Sequence, residues 1–414
     1  MHLKNRLANI FPDTSFIYKV FYFFVFATIL VLPFHKIFAS FPLTFAGMAG
    51  VIALLFSGGV KSGNRNPEML LWCLIFFAFL PGFFIANDQS LAWKDVSGKL
   101  YLFATPLLFF FLKPPGEKLF RRMLRLFVFS CLVFILVSIS IAIYNFLMHG
   151  VSHFFYKELV RFTTMHPSYI GMYINFAIVI TGIDFFRNNS KLEKEQRIFY
   201  LIALAIMFVY LLILTAKTAI LIGGISLIWM FVYWGKKQGK FKLAITYLIL
   251  ALVLLSAIAL SNKDIRTRVG MLFNYNEVNY DNSVLSRQYQ WLSAWQLIND
   301  SNWQGVGADV STDKLVEYYA KNNFQKGVDE RYNTHNQYLQ LVVDGGWPAL
   351  LMFCIALAAL LHVAYWSRRY MLFFFLLILS ISILTECMFE TLSGILFFAL
   401  FGPLLIWEKP SKKA

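Results

Sequence analysis

The chain is poor in charged residues for its length. Of its 414 residues only 14% are charged and 59% are hydrophobic, whereas an average globular chain is roughly 25% charged. The mean hydropathy is +0.62. A soluble domain of this composition would lack the polar surface needed to cover its apolar side chains, so that class is excluded. The composition indicates a polytopic membrane protein.

Cysteine is also scarce, with four residues in the whole chain. Cys73, Cys131, Cys354 and Cys387 all lie within apolar runs. Their spacing fits neither a disulfide framework nor a metal-binding motif, so we expect them to act as small hydrophobic residues.

Acidic residues are fewer than basic ones, 22 against 37, which gives a net charge of +15. In a membrane protein this excess has to be related to the bilayer before nucleic acid is considered as a partner. We therefore expect no nucleic-acid partner.

Apolar runs long enough to cross the bilayer recur along the chain. They predict an all-α fold of about twelve transmembrane helices, near residues 16–34, 41–57, 69–86, 100–112, 126–147, 167–184, 198–216, 218–234, 243–260, 346–366, 370–387 and 391–407. The predicted regions are 1–260 with nine helices, 261–346 as one long, partly helical outer loop, and 347–414 with three helices and a tail.

The lysine and arginine residues test this count, because cytoplasmic loops carry the excess of positive charge. With both termini in the cytoplasm, the predicted inner segments hold Lys4, Arg6, Lys61, Arg65, Lys113, Lys118, Arg121, Arg122, Arg125, Arg187, Lys191, Lys194, Arg197, Lys236, Lys237, Lys240, Lys242, Arg368, Arg369, Lys409, Lys412 and Lys413. The short outer loops hold few cations: Lys36, Lys94, Lys99, Lys157, Arg161 and Lys217.

The long outer loop opens with polar sequence at residues 274–282. An amphipathic helix follows, predicted by Leu285, Tyr289, Leu292, Trp295 and Ile298, and we expect its aromatic residues to suit the membrane interface. It ends at residues 299–301. A turn is predicted at 303–307 and a second short helix at 313–319.

A histidine stands at the most informative position of this loop. Thr334 and Gln337 have the spacing of a capping box, which predicts a helix with His335 at its first position. The dipole of such a helix disfavours the imidazolium and keeps the ring able to accept a proton. Gly345-Gly346 predicts the end of this helix. From this pattern alone, a surface histidine beside a cap is the simpler interpretation, and a general base is the alternative.

Three further outer-face residues carry or can carry positive charge. Lys217 separates two apolar runs with almost no loop, where a snorkelling lysine is an alternative interpretation. Arg161 and His166 precede the sixth span, and Pro167 suits its first helical position. Together with His335, the basic residues Arg161, Lys217 and Arg287 form a set suited to a membrane-bound phosphate or pyrophosphate, which indicates group transfer.

The candidate site residues of the outer face also include two acidic residues. Glu386 and Glu390 are spaced one helical turn apart near the outer end of the eleventh span. Carboxylates are costly beside lipid, so we expect them to face the protein interior or a cation. A pair of Glu386 with Arg161 or Lys217 is one hypothesis.

These motifs, taken in order, resemble the signature region of the O-antigen ligase/polymerase family. The resemblance covers about residues 283–357 and includes Arg287-Gln-Tyr-Gln-Trp291, residues 294–297, Gly305-Val306-Gly307, His335-Asn336 and Gly345-Gly346. The hydropathy of the whole chain agrees with the family's twelve spans around one long periplasmic loop.

The resemblance implies an inverting, metal-independent glycosyltransferase of the bacterial inner membrane, with no cofactor. The implied donor is a glycan linked to undecaprenyl pyrophosphate, and the implied acceptor is a hydroxyl of lipid A-core on the periplasmic side. His335 is then the candidate general base, and Arg287, Lys217, Arg161, His166 and Asn336 are candidate pyrophosphate- or substrate-binding residues. Ligases of the family tend to have arginine at the position of Lys217, and lysine keeps the charge without the bidentate fork.

Other functions stay open at this point. A polysaccharide polymerase or a protein O-oligosaccharyltransferase would use the same donor with another acceptor. A lipid or polysaccharide transporter would be expected to show charged sites near the bilayer midplane and paired broken helices, and the sequence has no internal repeat. A scaffold or receptor with a passive outer loop is compatible with the composition.

Overall fold

The structure is a computed structural model that describes residues 16–57, 66–188, 192–261 and 283–408. Every regular element within these ranges is helical, so the predicted all-α class is confirmed for them. Several sequence predictions fall outside the described residues: the polar opening of the loop at 274–282 and the cations Lys4, Arg6, Lys61, Arg65, Lys191, Lys409, Lys412 and Lys413.

Helices follow one another along the described residues. They are α1 (Phe16–Val31), α2 (Lys36–Ser57), α3 (Glu68–Phe77), α4 (Leu80–Phe84), α5 (Gln89–Gly98), α6 (Tyr101–Phe111), α7 (Glu117–His149), α8 (Tyr156–Leu159), α9 (Pro167–Asn188), α10 (Lys194–Leu214), α11 (Lys217–Gln238), α12 (Phe241–Ser261), α13 (Ser283–Asp300), α14 (Ser311–Lys321), α15 (Gln325–Asp329), α16 (Gln337–Trp366), α17 (Tyr370–Ser382), the 3-10 turn Met388–Glu390 and α18 (Leu392–Ile406).

Six of the described helices are long and apolar enough to cross a membrane: α2, α7, α9, α10, α11 and α16. Shorter apolar helices lie at the other predicted spans, in α1, α3 with α4, α6, α12, α17 and α18. The chain is therefore a helical protein with several membrane-spanning candidates. The count of twelve, the outer position of the long loop and the boundaries at 260 and 346 stay predictions.

The chain forms two compact units, one comprising Met1–Met123 with Tyr280–Ala414 and the other Leu124–Asn279. In the first unit, helices α13, α14 and α15 share a core with the first turns of α16. The buried residues of this core are Ala294, Leu297, Ile298, Leu315, Tyr318, Tyr319, Phe324, Val342 and Val343. The long loop thus contains a packed helical subdomain in its described part.

The predicted amphipathic helix is present as α13, but its apolar stripe is divided between core and surface. Ile298 is buried, while Leu292 and Trp295 are exposed. Ser293 lies on the buried face, where its hydroxyl accepts a hydrogen bond from Asn322 Nδ2 at 2.7 Å. The buried face of α13 therefore combines the small residues Ser293 and Ala294 with the apolar residues Leu297 and Ile298.

The break predicted at Gly345-Gly346 is present within α16. Gly346 has φ +70° and ψ −168°, which interrupts the helix before Pro348. The backbone of the 303–307 turn lies against this break, since Val306 N donates to Val343 O at 2.8 Å and Trp347 N donates to Trp303 O at 2.9 Å. A Cβ atom on Gly346 would lie 2.6 Å from Gln304 O, so this position requires glycine.

The second unit contains helices α8 to α12 and most of α7. Asn175 on α9 donates from Nδ2 to the carbonyl oxygens of Gly171 and Ala219, both at 2.9 Å, which ties α9 to α11. On the same helix, Asp184 accepts a hydrogen bond from Arg125 Nε of α7 at 2.9 Å. Asn175 Nδ2 is thus paired with the backbone and Asp184 with a cation, as expected for polar side chains within apolar helices.

Candidate functional site

His335 lies in a short turn before α16. The sequence pattern instead predicts that it is the first residue of the helix. The N-cap is Asn336, whose Oδ1 accepts from Tyr338 N at 3.0 Å and from Leu339 N at 3.2 Å. The predicted capping box of Thr334 with Gln337 is therefore wrong, and so is the placement of His335 at the first helical position.

The two side chains of the predicted capping box have other partners. Thr334 Oγ1 donates to Asn336 O at 2.8 Å, and Gln337 Oε1 accepts from Phe389 N at 2.9 Å. His335 itself has φ +45°, and its backbone N–H donates to Asn333 Oδ1 at 3.0 Å. A positive φ at a histidine is uncommon and is held here by these side-chain contacts.

The imidazole of His335 contacts a carboxylate. His335 Nδ1 lies 2.9 Å from Glu386 Oε2. Because an ionised carboxylate can only accept a hydrogen bond, Nδ1 carries a proton in this contact, and Nε2 is the nitrogen that holds the lone pair of a neutral ring. Glu386 thereby fixes both the tautomer and the orientation of the ring.

The other oxygen of the same carboxylate is held by an arginine. Arg287 Nη2 donates to Glu386 Oε1 at 2.7 Å, and Arg287 Nε donates to Thr385 O at 3.1 Å. The Glu386 side chain is 6% exposed, whereas those of Arg287 and His335 are 21% and 28% exposed. The acid is thus enclosed, and the two groups that it orients remain accessible to a substrate.

Glu386 and Glu390 are not on one helix. Helix α17 ends at Ser382, and Glu390 is the last residue of the 3-10 turn Met388–Glu390. The prediction that they lie one turn apart on a single helix is therefore wrong. Both carboxylates do contact a cation, as expected: Glu386 contacts Arg287 and Glu390 contacts Lys99. The pairing of Glu386 with Arg161 or Lys217 stays a prediction.

Glu390 belongs to a buried polar cluster that the sequence did not indicate. Its Oε2 lies 2.9 Å from Lys99 Nζ, and Lys99 also pairs with Asp95 one turn earlier on α5. The Lys99 side chain is 2% exposed. Burial alone would lower the pKa of its ammonium, but the Glu390 and Asp95 carboxylates reverse that effect and raise it. Burial raises the pKa of the Glu390 carboxyl.

A second contact holds the backbone of the histidine turn. Gln340 Oε1 accepts from Thr334 N at 3.1 Å, and Gln340 Nε2 donates to Asp344 Oδ1 at 2.8 Å. Both residues lie on the first turns of α16, before the break at Gly346. The turn is therefore fixed from the helix side.

Three predicted site residues lie in the second unit. Arg161 is exposed and pairs with Glu158 at 3.4 Å. His166 precedes α9, which begins at Pro167 as predicted, and its Nδ1 lies 3.0 Å from Ser168 Oγ. Lys217 is the first residue of α11, and the N-cap Ala216 separates it from the left-handed Thr215. These residues are described within their own unit, and their roles stay predictions.

Comparison with known families identifies part of the chain. The model of one family, described as O-antigen ligase, matches residues 202–354. This stretch of the chain therefore resembles an O-antigen ligase domain. The resemblance inferred from the motif order is confirmed. A search of curated proteins finds no match.

The matched stretch contains some of the candidate residues but not all. Lys217, Arg287, His335 and Asn336 lie within the matched range, while Glu386 and Glu390 follow it. Within the part of the chain that the structure describes, no cluster of three or more His, Cys, Asp or Glu residues could hold a metal ion. The geometry provides an oriented base and a guanidinium beside it.

Proposed function

We propose that this chain is an O-antigen ligase that transfers a glycan from undecaprenyl pyrophosphate to a hydroxyl of lipid A-core. The reaction takes place on the periplasmic side of the bacterial inner membrane, and both termini lie in the cytoplasm. The observation that carries this proposal is the Glu386 carboxylate shared by His335 and Arg287. The O-antigen ligase domain supports a ligase- or polymerase-type function in general.

In the proposed reaction, His335 Nε2 removes the proton from the acceptor hydroxyl. The hydroxyl oxygen attacks the anomeric carbon of the donor sugar from the face opposite the leaving group. The new C–O bond forms as the bond to undecaprenyl pyrophosphate breaks, and the bonding electrons leave with the pyrophosphate. The configuration at the anomeric carbon is inverted. A positioned base of this kind contributes about 10²- to 10⁴-fold in rate.

Arg287 would stabilise the charge that develops on the leaving group. Its Nε and Nη2 are committed to Thr385 and Glu386, and a guanidinium has five N–H donors in a planar fork, so others can meet a phosphate oxygen. Positive side chains would thus stabilise the negative charge of the leaving group, which a metal ion does in many phosphate-transfer enzymes. We propose that Lys217, Arg161 and His166 also contact the donor.

Asn336 has a structural task in addition to its predicted contact with substrate. Its Oδ1 caps α16, so only its amide N–H groups could reach a ligand. We propose that Asn336 acts mainly by holding the turn that presents His335.

Purified protein in proteoliposomes tests this proposal. It would be given lipid-pyrophosphate glycan donor, with and without lipid A-core. We expect glycosylated lipid A-core only when both are present. Donor lengthened in the absence of lipid A-core would show a polymerase, and glycan transferred to an added protein substrate would show a protein O-oligosaccharyltransferase. If glycan crosses the membrane and no covalent product forms, the result would support a transporter.

A further inference from the structure

We propose that Lys99, through Glu390 and Gln337, forms a buried ionic brace that positions the His335–Glu386 pair. The inference rests on the proposed function, because it assigns positioning residues to the same reaction. Lys99 and Glu390 touch neither the imidazole nor any group assigned to substrate. Their effect is transmitted through the backbone segments that carry the base and its carboxylate.

Lys99 is held in place from two sides. Its ammonium lies 2.9 Å from Glu390 Oε2 and also contacts Asp95, and it stands 5.1 Å from the centre of the Phe79 ring. A lysine that is 2% exposed is costly to bury unless its charge is paired and hydrogen-bonded. The pairing therefore fixes the position of Glu390 relative to helix α5.

Glu390 extends the contact to the start of α16. Its Oε1 accepts from Gln337 Nε2 at 3.3 Å. Gln337 in turn accepts from Phe389 N through Oε1 at 2.9 Å, and its own backbone N–H donates to Ile383 O at 2.9 Å. One fully buried glutamine thus joins the first residue of α16 to both ends of the 383–389 segment.

The two members of the catalytic pair lie on the segments that Gln337 joins. His335 is two residues before Gln337, and Glu386 is between Ile383 and Phe389. A release of Glu390 would free Gln337 Nε2 and loosen the side chain that also bonds to Phe389 N, and we expect this to lengthen the 2.9 Å contact between His335 Nδ1 and Glu386 Oε2. A misplacement of about 1 Å can cost about 10²-fold in rate.

A purely charge-compensating role for Lys99 predicts different behaviour. If Lys99 only neutralises buried acids, then removing one acid together with the lysine should restore the protein. If Lys99 is a brace, the double variant Lys99→Met/Glu390→Gln should stay impaired. Its two replaced side chains are uncharged, but the contact that holds residue 390 in place is still missing. The double variant therefore separates the two roles.

The experiment compares Lys99→Met, Glu390→Gln and the double variant with Lys94→Met. Lys94 is an exposed lysine on α5, the helix that ends directly before Lys99. Two properties are measured in proteoliposomes: the kinetics of glycan transfer, and hydrogen exchange of residues 333–339 and 383–391 without substrate. We expect Lys99→Met and the double variant to lower kcat at least 10-fold, to change the donor KM less than 3-fold, and to exchange faster in both segments. Lys94→Met should match the wild type.

Glu390→Gln is the milder variant, because it keeps the volume and the acceptor for Gln337. We expect an intermediate fall in kcat with the same local exchange pattern. Wild-type kcat and wild-type exchange in the folded double variant would overturn the brace. Inactive wild-type protein would contradict the proposed function instead, and the exchange measurement would still test the brace.

Discussion

The tautomer of His335 depends on one carboxylate oxygen. Glu386 Oε2 accepts from Nδ1, so the lone pair that can take a proton is on Nε2, and the other oxygen is occupied by Arg287. The same side chain therefore links the base to the group proposed to meet the leaving pyrophosphate. The histidine and arginine could be selected from motif order, but their common partner could not, because Glu386 is 51 residues from His335 and 99 from Arg287 along the chain.

Replacing Glu386 by glutamine should slow glycan transfer about 100-fold, within the range for general-base catalysis. The new amide N–H₂ can donate to Nδ1 and so favour the tautomer with its proton on Nε2. The measurement is kcat for Glu386→Gln in the wild-type and His335→Ala backgrounds. Since the two residues act as one unit, the substitution should have little further effect when His335 is absent. Full additivity of the two losses would contradict the orienting role.

At the scale of the elements, the helix start next to His335 is set by Asn336. We expect Asn336→Ala to lower the free energy of unfolding by about 1 kcal/mol, the usual cost of losing an N-cap. Asn336→Asp, which keeps the acceptor, is the matched control and should stay close to the wild type. The check is thermal unfolding of both variants in the same detergent. Equal unfolding temperatures for the alanine variant and the wild type would mean that Asn336 does not cap α16.

The break in α16 permits a second test at this scale. Gly346→Ala should be strongly destabilising, because φ is +70° and a Cβ would lie 2.6 Å from Gln304 O. Gly47→Ala in α2 is the control, since nothing lies within 4 Å of its added Cβ, and an alanine in a helix interior is normally favourable. Unfolding temperature and expression level report both. Equal behaviour of the two variants would contradict the described contact.

The capping error has a physical explanation that extends to other elements. Thr334 and Asn336 are both good N-cap residues, and local sequence does not decide between them. The choice is made by distant contacts, since Gln337 is engaged with Phe389 and Glu390. In the same way, helix α17 ends before Glu386 although the apolar run continues. Apolar periodicity predicted where the helices are, and tertiary contacts determined where they begin and end.

At the scale of the whole molecule, the sequence predicted the helical membrane class and the family. It did not predict the cluster of Lys99, Asp95 and Glu390. Lys99 and Glu390 are 291 residues apart, and in the sequence Lys99 resembles any other cation of a short outer loop. Burial distinguishes it, and burial of a single charged side chain depends on packing that no local pattern contains.

The predicted topology gives a direct labelling test. We expect a membrane-impermeant maleimide to label Glu317→Cys, at an exposed position of α14, in intact spheroplasts. Lys240→Cys, exposed between α11 and α12, should require permeabilised membranes. Each variant serves as the control for the other. The opposite pattern would reverse the orientation and with it the proposed periplasmic reaction.

The charges proposed to stabilise the leaving group belong to the protein. We therefore expect transfer by purified protein to be unchanged by EDTA, and added Mg²⁺ or Mn²⁺ should not restore activity to Arg287→Ala. The measurement is the initial rate after chelation and dialysis. A rate that falls with EDTA and returns with a divalent cation would contradict metal-independent transfer.

The proton acceptor is the central claim, and single-turnover transfer by His335→Ala tests it most directly. Donor bound to purified protein is mixed with excess lipid A-core, and formation of the glycosylated product is followed in time. We predict a rate constant at least 100-fold below that of the wild type, with donor affinity within about 3-fold, in the range for loss of a general base. A wild-type rate constant in the folded variant would contradict the assignment of His335 as the base.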